Sequence, residues 1–364
     1  TLAGVISGNS TSPLTKNGTG ALRLNGSNTY TGNTLLNAGS LVIGSSEALG
    51  TGAVSATNGT RIDSGSASTL SNNFNVAGTV SFGGNSTLAL SGTLQGDGTA
   101  VVNKEGAGTL VLSGTNTYGG GTTLSGGTLL VGNNAALGSG MLTVSGAANL
   151  GSTASAVLNN AVDLNSNLTV SGDNALRLNG NISGGAANKL IKTGQGNLTL
   201  AGTNNFQGGI ELNGGTLTVA TNSGALGSGA VTVTGDSRLA YNAAQVMSTP
   251  IAINSGVTLE FANNVQVIQL GQISGSGTLA KTGTNELMLF MGNSFSGLLD
   301  VRQGTVNASV ANALGNNPNL LVGSGATVSM MASSSINSLG GSGEVNLASG
   351  SLFTVGAGNA SSTF

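Results

Sequence analysis

The sequence contains no cysteine, histidine or tryptophan, and only 3 of its 364 residues are proline. The absence of cysteine excludes disulfides and thiolate metal sites. Without histidine, a serine nucleophile lacks the general base that normally activates it. The chain has 63 glycines, but the scarcity of proline and the lack of a strict glycine triplet exclude a collagen helix.

Charge is also scarce. Charged residues make up 6% of the chain, the net charge is −2, and the lysines and arginines are scattered singly, so we expect no nucleic-acid partner. No run of 18 apolar residues occurs, so we expect no direct membrane insertion of this segment. The hydrophobic fraction of 38% argues against disorder, because disordered chains combine low hydrophobicity with high charge.

An internal repeat dominates what remains. Its copies begin near Lys16, Lys104, Lys192 and Lys281, at steps of 88 or 89 residues. Each copy places two alternating leucines after the lysine, then an asparagine two residues before an aromatic ring, then Ala-Leu-Gly. The asparagine and aromatic positions are Asn28, Tyr30, Asn116, Tyr118, Asn204, Phe206, Asn293 and Phe295. Because no change of composition marks a boundary, the sequence predicts one continuous array over residues 1–364.

Each copy consists of short apolar and polar alternations between turn residues. Examples are Thr109–Leu112, Thr128–Val131 and Met141–Val144. A period of two predicts strands with one buried face, and Gly, Asn and Ser clusters predict turns. Strands this short cannot bury a core alone, so they must stack on neighbouring copies. The sequence therefore predicts an all-β solenoid with rungs of about 20–25 residues, roughly four coils in each repeat.

The segments Lys104-Glu-Gly-Ala-Gly-Thr-Leu-Val-Leu112 and Gly126-Gly-Thr-Leu-Leu-Val-Gly132, followed through all copies, resemble the autotransporter-associated β-strand repeat, also called the passenger-associated transport repeat. That repeat occurs in passenger domains of bacterial type V secreted proteins. The resemblance implies a right-handed parallel β-helix, exported and displayed at the surface of a Gram-negative cell. It covers the passenger only, because nothing here resembles the family's membrane barrel.

Several recurring residues allow two interpretations. The asparagine and aromatic positions could bind carbohydrate, but we favour a structural role in which asparagine satisfies turn backbone and the ring caps the core. The lysines could form a polyanion-binding row, but we favour solvated corner charges near a carboxylate such as Glu105, so that Lys104→Ala would cost under about 0.5 kcal/mol. Met330-Met331 and Leu287–Met291 could form a partner patch, but we favour core packing.

Enzymatic motifs are weak. Gly235-Asp236-Ser237 resembles the nucleophile block of lipolytic esterases, yet the base is missing and we interpret it as a turn. Polysaccharide lyases and glycosidases need clustered carboxylates, whereas the acids here are spread from Glu47 to Glu344. We therefore expect no catalytic residue, no cofactor and no metal site.

The sequence favours a structural stalk or fibre of an autotransporter-like surface protein, supporting display, self-association or adhesion. The alternative is an adhesin that binds host or matrix carbohydrate through irregular outward loops at 238–272, and a remote alternative is a polysaccharide-degrading enzyme. Expected partners are the chain itself, laterally or head to tail, or a host or matrix surface. Thr1 and Phe364 fall at the same phase of the repeat, so we expect further copies or caps to flank them and isolated segments to stack end to end.

Overall fold

A computed structural model of the protein describes residues 1–220, 223–357 and 361–364. All regular structure in these residues is β, and the strands pair in parallel as a β-solenoid. Within the same residues, no helix has the length and apolar character needed to cross a membrane. The chain divides into two compact units, Thr1–Ser183 and Gly184–Phe364. The expectation of one continuous array therefore stays a prediction.

In unit 1, Thr1–Ser183, the chain runs repeatedly over three faces in the order A, B, C. Face A holds β1 (Leu14–Lys16), β3 (Thr34–Leu36), β5 (Val54–Ala56), β8 (Phe74–Val76), β11 (Leu94–Gln95), β18 (Ala156–Leu158) and β21 (Leu176–Leu178). Face B holds β2 (Ala21–Leu24), β4 (Ser40–Ile43), β6 (Thr60–Ser64), β9 (Thr79–Gly84), β12 (Val101–Lys104), β14 (Gly121–Leu124), β16 (Leu142–Val144), β19 (Val162–Leu164) and β22 (Ile182–Gly184). Face C holds β7 (Ser68–Leu70), β10 (Leu88–Leu90), β13 (Thr109–Leu112), β15 (Thr128–Val131), β17 (Ala148–Ser152) and β20 (Leu168–Val170).

In unit 2, Gly184–Phe364, the order of the faces is D, E, F. Face D holds β23 (Leu190–Lys192), β25 (Ile210–Leu212), β27 (Val231–Val233), β30 (Ile251–Ile253), β33 (Ile273–Gly275), β40 (Ser334–Ile336) and β43 (Phe353–Val355). Face E holds β24 (Asn197–Leu200), β26 (Thr216–Val219), β28 (Ser237–Tyr241), β31 (Thr258–Asn263), β34 (Thr278–Thr282), β36 (Leu298–Val301), β38 (Asn319–Val322) and β41 (Ser338–Gly341). Face F holds β29 (Gln245–Met247), β32 (Val267–Gln269), β35 (Glu286–Leu289), β37 (Thr305–Ala308), β39 (Thr327–Met330) and β42 (Glu344–Leu347).

The alternating leucines form inward ladders. In β13, Leu110 pairs with Leu88 of the preceding turn, and Leu112 pairs with Leu90. Leu112 is fully buried, whereas its neighbour Val111 is only half-buried. Each fully buried leucine contributes roughly 1.5–3 kcal/mol, so the two-residue period fixes which row enters the core.

The repeat is one face longer than four full turns. In unit 1, Lys16 lies on face A and Lys104 lies on face B. In unit 2, Lys192 lies on face D and Lys281 lies on face E. The repeat therefore consists of the four coils predicted from the sequence plus one further face. As a result, equivalent residues of successive copies within a unit point in different directions.

We predict that Leu112→Asp destabilises the protein by about 4 kcal/mol or more, because an unpaired carboxylate would enter a dry core. The matched control is Val111→Asp, which places the same charge on the outward side and should cost about 1 kcal/mol or less. Urea unfolding of both variants measures the difference. Equal losses would show that the inward row is assigned wrongly.

Candidate functional site

The asparagine of each copy connects three successive turns. Asn116 is buried; its Oδ1 accepts from the backbone N of Leu94 at 2.8 Å, and its Nδ2 donates to the carbonyl O of Ala136 at 2.5 Å. These partners lie 22 residues before and 20 residues after it, which is one turn in each direction. The side chain therefore replaces strand hydrogen bonds where face A is irregular.

The other copies repeat this bridge. Asn28 accepts from the N of Ile6 at 2.8 Å and donates to the O of Ala48 at 2.6 Å. Asn293 accepts from the N of Ile273 at 2.7 Å and donates to the O of Ala313 at 2.5 Å. Asn204 donates to the O of Ala225 at 2.6 Å. The Ala-Leu-Gly motif thus supplies the acceptor carbonyl, one turn later.

The aromatic rings fill the core beside these bridges. The four rings of the repeat are at most 2% exposed. The hydroxyl of Tyr30 contacts Thr34 Oγ1 at 2.6 Å, and that of Tyr118 contacts Thr122 Oγ1 at 2.7 Å. Burial raises the pKa of Tyr118 above its ordinary value, so this hydroxyl stays neutral. The rings of the repeat present no face to a ligand.

The hydroxyl and its partner change together. Where the ring is phenylalanine, the fourth residue after it is apolar: Ile210 follows Phe206, and Leu299 follows Phe295. A buried threonine facing phenylalanine would keep an unsatisfied hydroxyl. At these two positions, each copy therefore has either a tyrosine hydrogen-bonded to threonine or two apolar side chains.

The glycine of Ala-Leu-Gly is required by the backbone of the aromatic residue in the previous turn. Gly138 has φ of +61°, and a Cβ there would lie 2.2 Å from the carbonyl O of Tyr118. No other residue fits without displacing that backbone. The motif is consequently a docking surface for the aromatic segment of its own copy.

The lysines are not solvated corner charges; that prediction was wrong. Lys104, Lys192 and Lys281 are at most 2% exposed, and Lys16 is half-buried. The Nζ of Lys104 donates to the carbonyl oxygens of Glu105 at 2.9 Å, Gly106 at 2.9 Å and Gly126 at 3.0 Å. Its three donors are thus matched by three acceptors, one of them in the next turn.

The same carbonyl set recurs in each buried copy. Lys192 donates to Thr193, Gly194 and Gly214, and Lys281 donates to Thr282, Gly283 and Gln303. The acceptors follow the lysine by 1, 2 and 22 residues. The lysine therefore ties the corner of its own turn to the corner of the next.

Glycine makes room for this contact. Gly127 has φ of +65°, and a Cβ there would lie 2.6 Å from the Nζ of Lys104 and 2.4 Å from the O of Gly106. Gly215 has the same relation to Lys192, with a Cβ distance of 2.8 Å from Nζ. The second glycine of the Gly-Gly pair is thus part of the lysine site.

Burial lowers the pKa of Lys104 to about 8, against a smaller opposite effect of Glu105, and lowers that of Lys281 to about 8. The carbonyl oxygens supply partial negative charge, but no carboxylate of the described residues forms an ion pair with either ammonium. These two lysines therefore hold a costly buried charge at neutral pH.

The apolar segments divide between the two interpretations. Leu287, Leu289 and Met330 are core residues, as the packing interpretation predicts. Met291 and Met331 are instead 46% and 54% exposed. The adjacent Met330-Met331 pair thus has one side chain inside and one outside, as alternation along a strand requires.

Gly235-Asp236-Ser237 forms a turn. The Oγ of Ser237 donates to the O of Gly235 at 2.8 Å, and Asp236 Oδ1 accepts from the N of Thr258 at 2.7 Å. Ser237 is buried. In the described ranges, no group of three or more acidic side chains could hold a metal ion.

Sequence reasoning missed one surface feature, a polar groove of about 440 Å³ on unit 2. Its walls carry charged side chains that are up to 66 residues apart in sequence and are brought together by stacking of turns along face E. It is lined by Gln195, Asp236, Arg238, Thr258, Glu260 and Arg302, among others. Its charged residues are isolated in the sequence and gave no signal there.

The recurring geometry matches a known repeat. The family model described as the passenger-associated-transport-repeat matches residues 14–43, 102–131, 190–219 and 279–308. Each match begins two residues before one of the lysines and contains the asparagine and the ring. The chain carries four passenger-associated transport repeats. The resemblance seen in the sequence is confirmed.

This repeat protein is also similar to "Adhesin BmaC autotransporter" of Brucella suis biovar 1 (strain 1330). The identity is 33% over an alignment of 421 residues, which covers 99% of this chain and 12% of the relative. The chain thus spans a small part of that protein's length. No solved structure matches this chain.

We predict that Tyr118→Phe costs about 1–2 kcal/mol, because the Thr122 hydroxyl is left buried and unpaired. Thr122→Val should cost a similar amount. The double variant Tyr118→Phe/Thr122→Val reproduces the apolar arrangement at Phe206 and should lose much less than the sum of the two. A double-mutant cycle from urea unfolding gives the coupling. Strict additivity would contradict the pairing.

We predict that Lys104→Met destabilises the protein by about 2 kcal/mol or more, since three buried carbonyls lose their donor. Lys189→Met is the matched control. The Lys189 side chain is 48% exposed beside Glu211, so this change should cost under about 0.5 kcal/mol. Thermal unfolding measures both. A small loss of stability in Lys104→Met would instead support the interpretation of Lys104 as a solvated corner charge.

The same lysines give the stability a pH dependence. Their folded pKa of about 8 lies below the unfolded value of 10.5, so the unfolded chain holds more protons over that interval and stability rises with pH. Buried tyrosines oppose this above about pH 9.5, where they ionise only in the unfolded chain. Between pH 7.5 and 9.5, Lys104→Met/Lys281→Met should therefore flatten the rise of the urea midpoint. An unchanged slope would contradict the buried charges.

Proposed function

We propose that this chain is a segment of an autotransporter passenger, exported and displayed at a Gram-negative cell surface, where it serves as a stalk that takes part in adhesion. The observation that carries the proposal is the inward position of the repeated residues. The asparagine, ring and lysine of each fully enclosed copy are buried and bond to neighbouring turns. The repeat therefore specifies stacking of turns, which is the requirement of an extended display scaffold.

The comparison supports the surface role. The relative is by its name an adhesin and an autotransporter, and this chain aligns with it almost end to end. The outward surface is built mainly from Ser, Thr, Asn and Gly with 6% charged residues in the chain, so binding must depend on a local feature of the surface. Self-association of the chain, lateral or head to tail, is the second role that we propose.

Surface display tests the proposal. The chain is fused to an autotransporter membrane barrel in a non-adherent Gram-negative host, and surface exposure is measured by protease shaving of intact cells. We expect exposure, and attachment to epithelial monolayers or matrix-coated plates above that of the barrel alone. Asn116→Ala/Asn293→Ala removes two bridges and is the matched control, which should lower display.

Display without attachment would contradict the adhesive part and leave the stalk. Failure of display, with the control behaving like the wild type, would contradict the whole proposal. Light scattering of the purified chain over a concentration series tests self-association, which a constant monomer mass would exclude.

A further inference from the structure

The groove on unit 2 lies over outward positions of face E. Arg238 of β28 pairs in register with Glu260 of β31, which pairs with Ala280 of β34, which pairs with Asp300 of β36. Strand spacing is about 4.8 Å, so these four positions extend over roughly 14 Å. Arg302, two residues beyond Asp300, lines the same groove.

Unit 1 has the same surface in a closed form. Face B carries Arg61 on β6, at the place in the turn that Arg238 occupies on face E. Arg61 Nε donates to Asp63 Oδ1 at 2.6 Å, and Arg61 Nη1 pairs with Glu105. The stacking of turns gives two carboxylates to one guanidinium there, so the donors of Arg61 are engaged within the cluster.

Unit 2 lacks both of these carboxylates. The residue after Leu239 is Ala240, where unit 1 has Asp63 after Ile62, and the residue after Lys281 is Thr282, where unit 1 has Glu105 after Lys104. Arg238 instead reaches Glu260 at 3.3 Å. No carboxylate at position 240 or 282 therefore joins the pair of Arg238 and Glu260.

The groove presents polar atoms that its own walls do not satisfy. Arg302 donates through Nε to Asp300 Oδ2 at 2.6 Å, and Glu260 Oε1 accepts from Thr282 Oγ1 at 2.7 Å. Within the described part of the chain, the terminal nitrogens of Arg302, Oε2 of Glu260 and Oδ2 of Asp236 have no hydrogen-bond partner. Donors and acceptors thus face one open space.

We infer that this groove is a binding site for an uncharged, hydroxyl-rich saccharide, which deepens the proposed adhesive function and rests on it. Carboxylate oxygens accept hydrogen bonds from sugar hydroxyls, and the guanidinium of Arg302 donates to sugar oxygens. A groove of roughly 14 Å accommodates two or three linked sugars. Among the lining residues, Asp236 and Glu260 balance Arg238 and Arg302, so the groove offers no net positive charge to sulfated or sialylated chains.

A glycan array with neutral, sialylated and sulfated oligosaccharides, probed with the purified chain, tests the inference. We expect binding to neutral oligosaccharides of at least two sugars. Arg302→Ala and Ala240→Asp should each weaken the titrated affinity at least tenfold, the second because it gives Arg238 the partner that Arg61 has. Arg177→Ala is the matched control; it removes one half-buried arginine of the outward surface of unit 1, away from the groove, and should change nothing.

Binding confined to sulfated or sialylated glycans, no binding to any glycan, or equal affinity of Ala240→Asp and wild type would each overturn the inference. Melting temperatures of the variants show whether a lost affinity reflects unfolding; Ala240→Asp copies a pair already present in unit 1 and should melt with the wild type. Attachment of displaying cells without glycan binding would support the proposed adhesive function and contradict the saccharide site in the groove. Glycan binding by the purified chain without surface display would support the saccharide site and contradict the proposed function.

Discussion

Everything in this structure depends on satisfying backbone polar groups wherever a parallel ladder bends or breaks. Along the straight faces, neighbouring strands satisfy one another. Where the chain is irregular, a side chain must replace the missing backbone partner, because a buried unpaired group costs as much as a lost hydrogen bond. Asn116 does so for the segment before the ring, and Lys104 does so for the corner. Hydrophobic burial stabilises the turns, whereas these asparagine and lysine hydrogen bonds fix the positions of the irregular segments and corners.

The sequence contained the strands, the repeat and the inward leucines, since a two-residue period directly indicates one buried face. The Asn116 and Tyr118 positions could also be found, because they recur at a fixed spacing. Their partners could not be found this way. Gly126, the third acceptor of Lys104, lies 22 residues away in sequence and Ala136, the acceptor of Asn116, lies 20 away. Only the register of neighbouring turns brings these carbonyls within reach.

Lys104 was misjudged for a related reason. A lysine beside a glutamate in a Gly-rich turn usually has a hydrated ammonium group, and composition cannot distinguish it from one enclosed by carbonyls. The groove escaped notice because Arg238, Glu260 and Arg302 are isolated charges in sequence and become neighbours only through stacking. In a solenoid, a surface site is formed by residues from several turns, which are far apart in sequence. The core pattern, by contrast, is visible within each strand as alternation of apolar and polar residues.

The added face in each repeat has an evolutionary consequence. Gain or loss of one whole copy joins equivalent strands, so the core, the asparagine bridges and the lysine corners are all preserved. The outward residues beyond the junction are nevertheless turned by a third of a revolution relative to those before it. A change in copy number can thus redirect a binding groove around the axis without a single substitution.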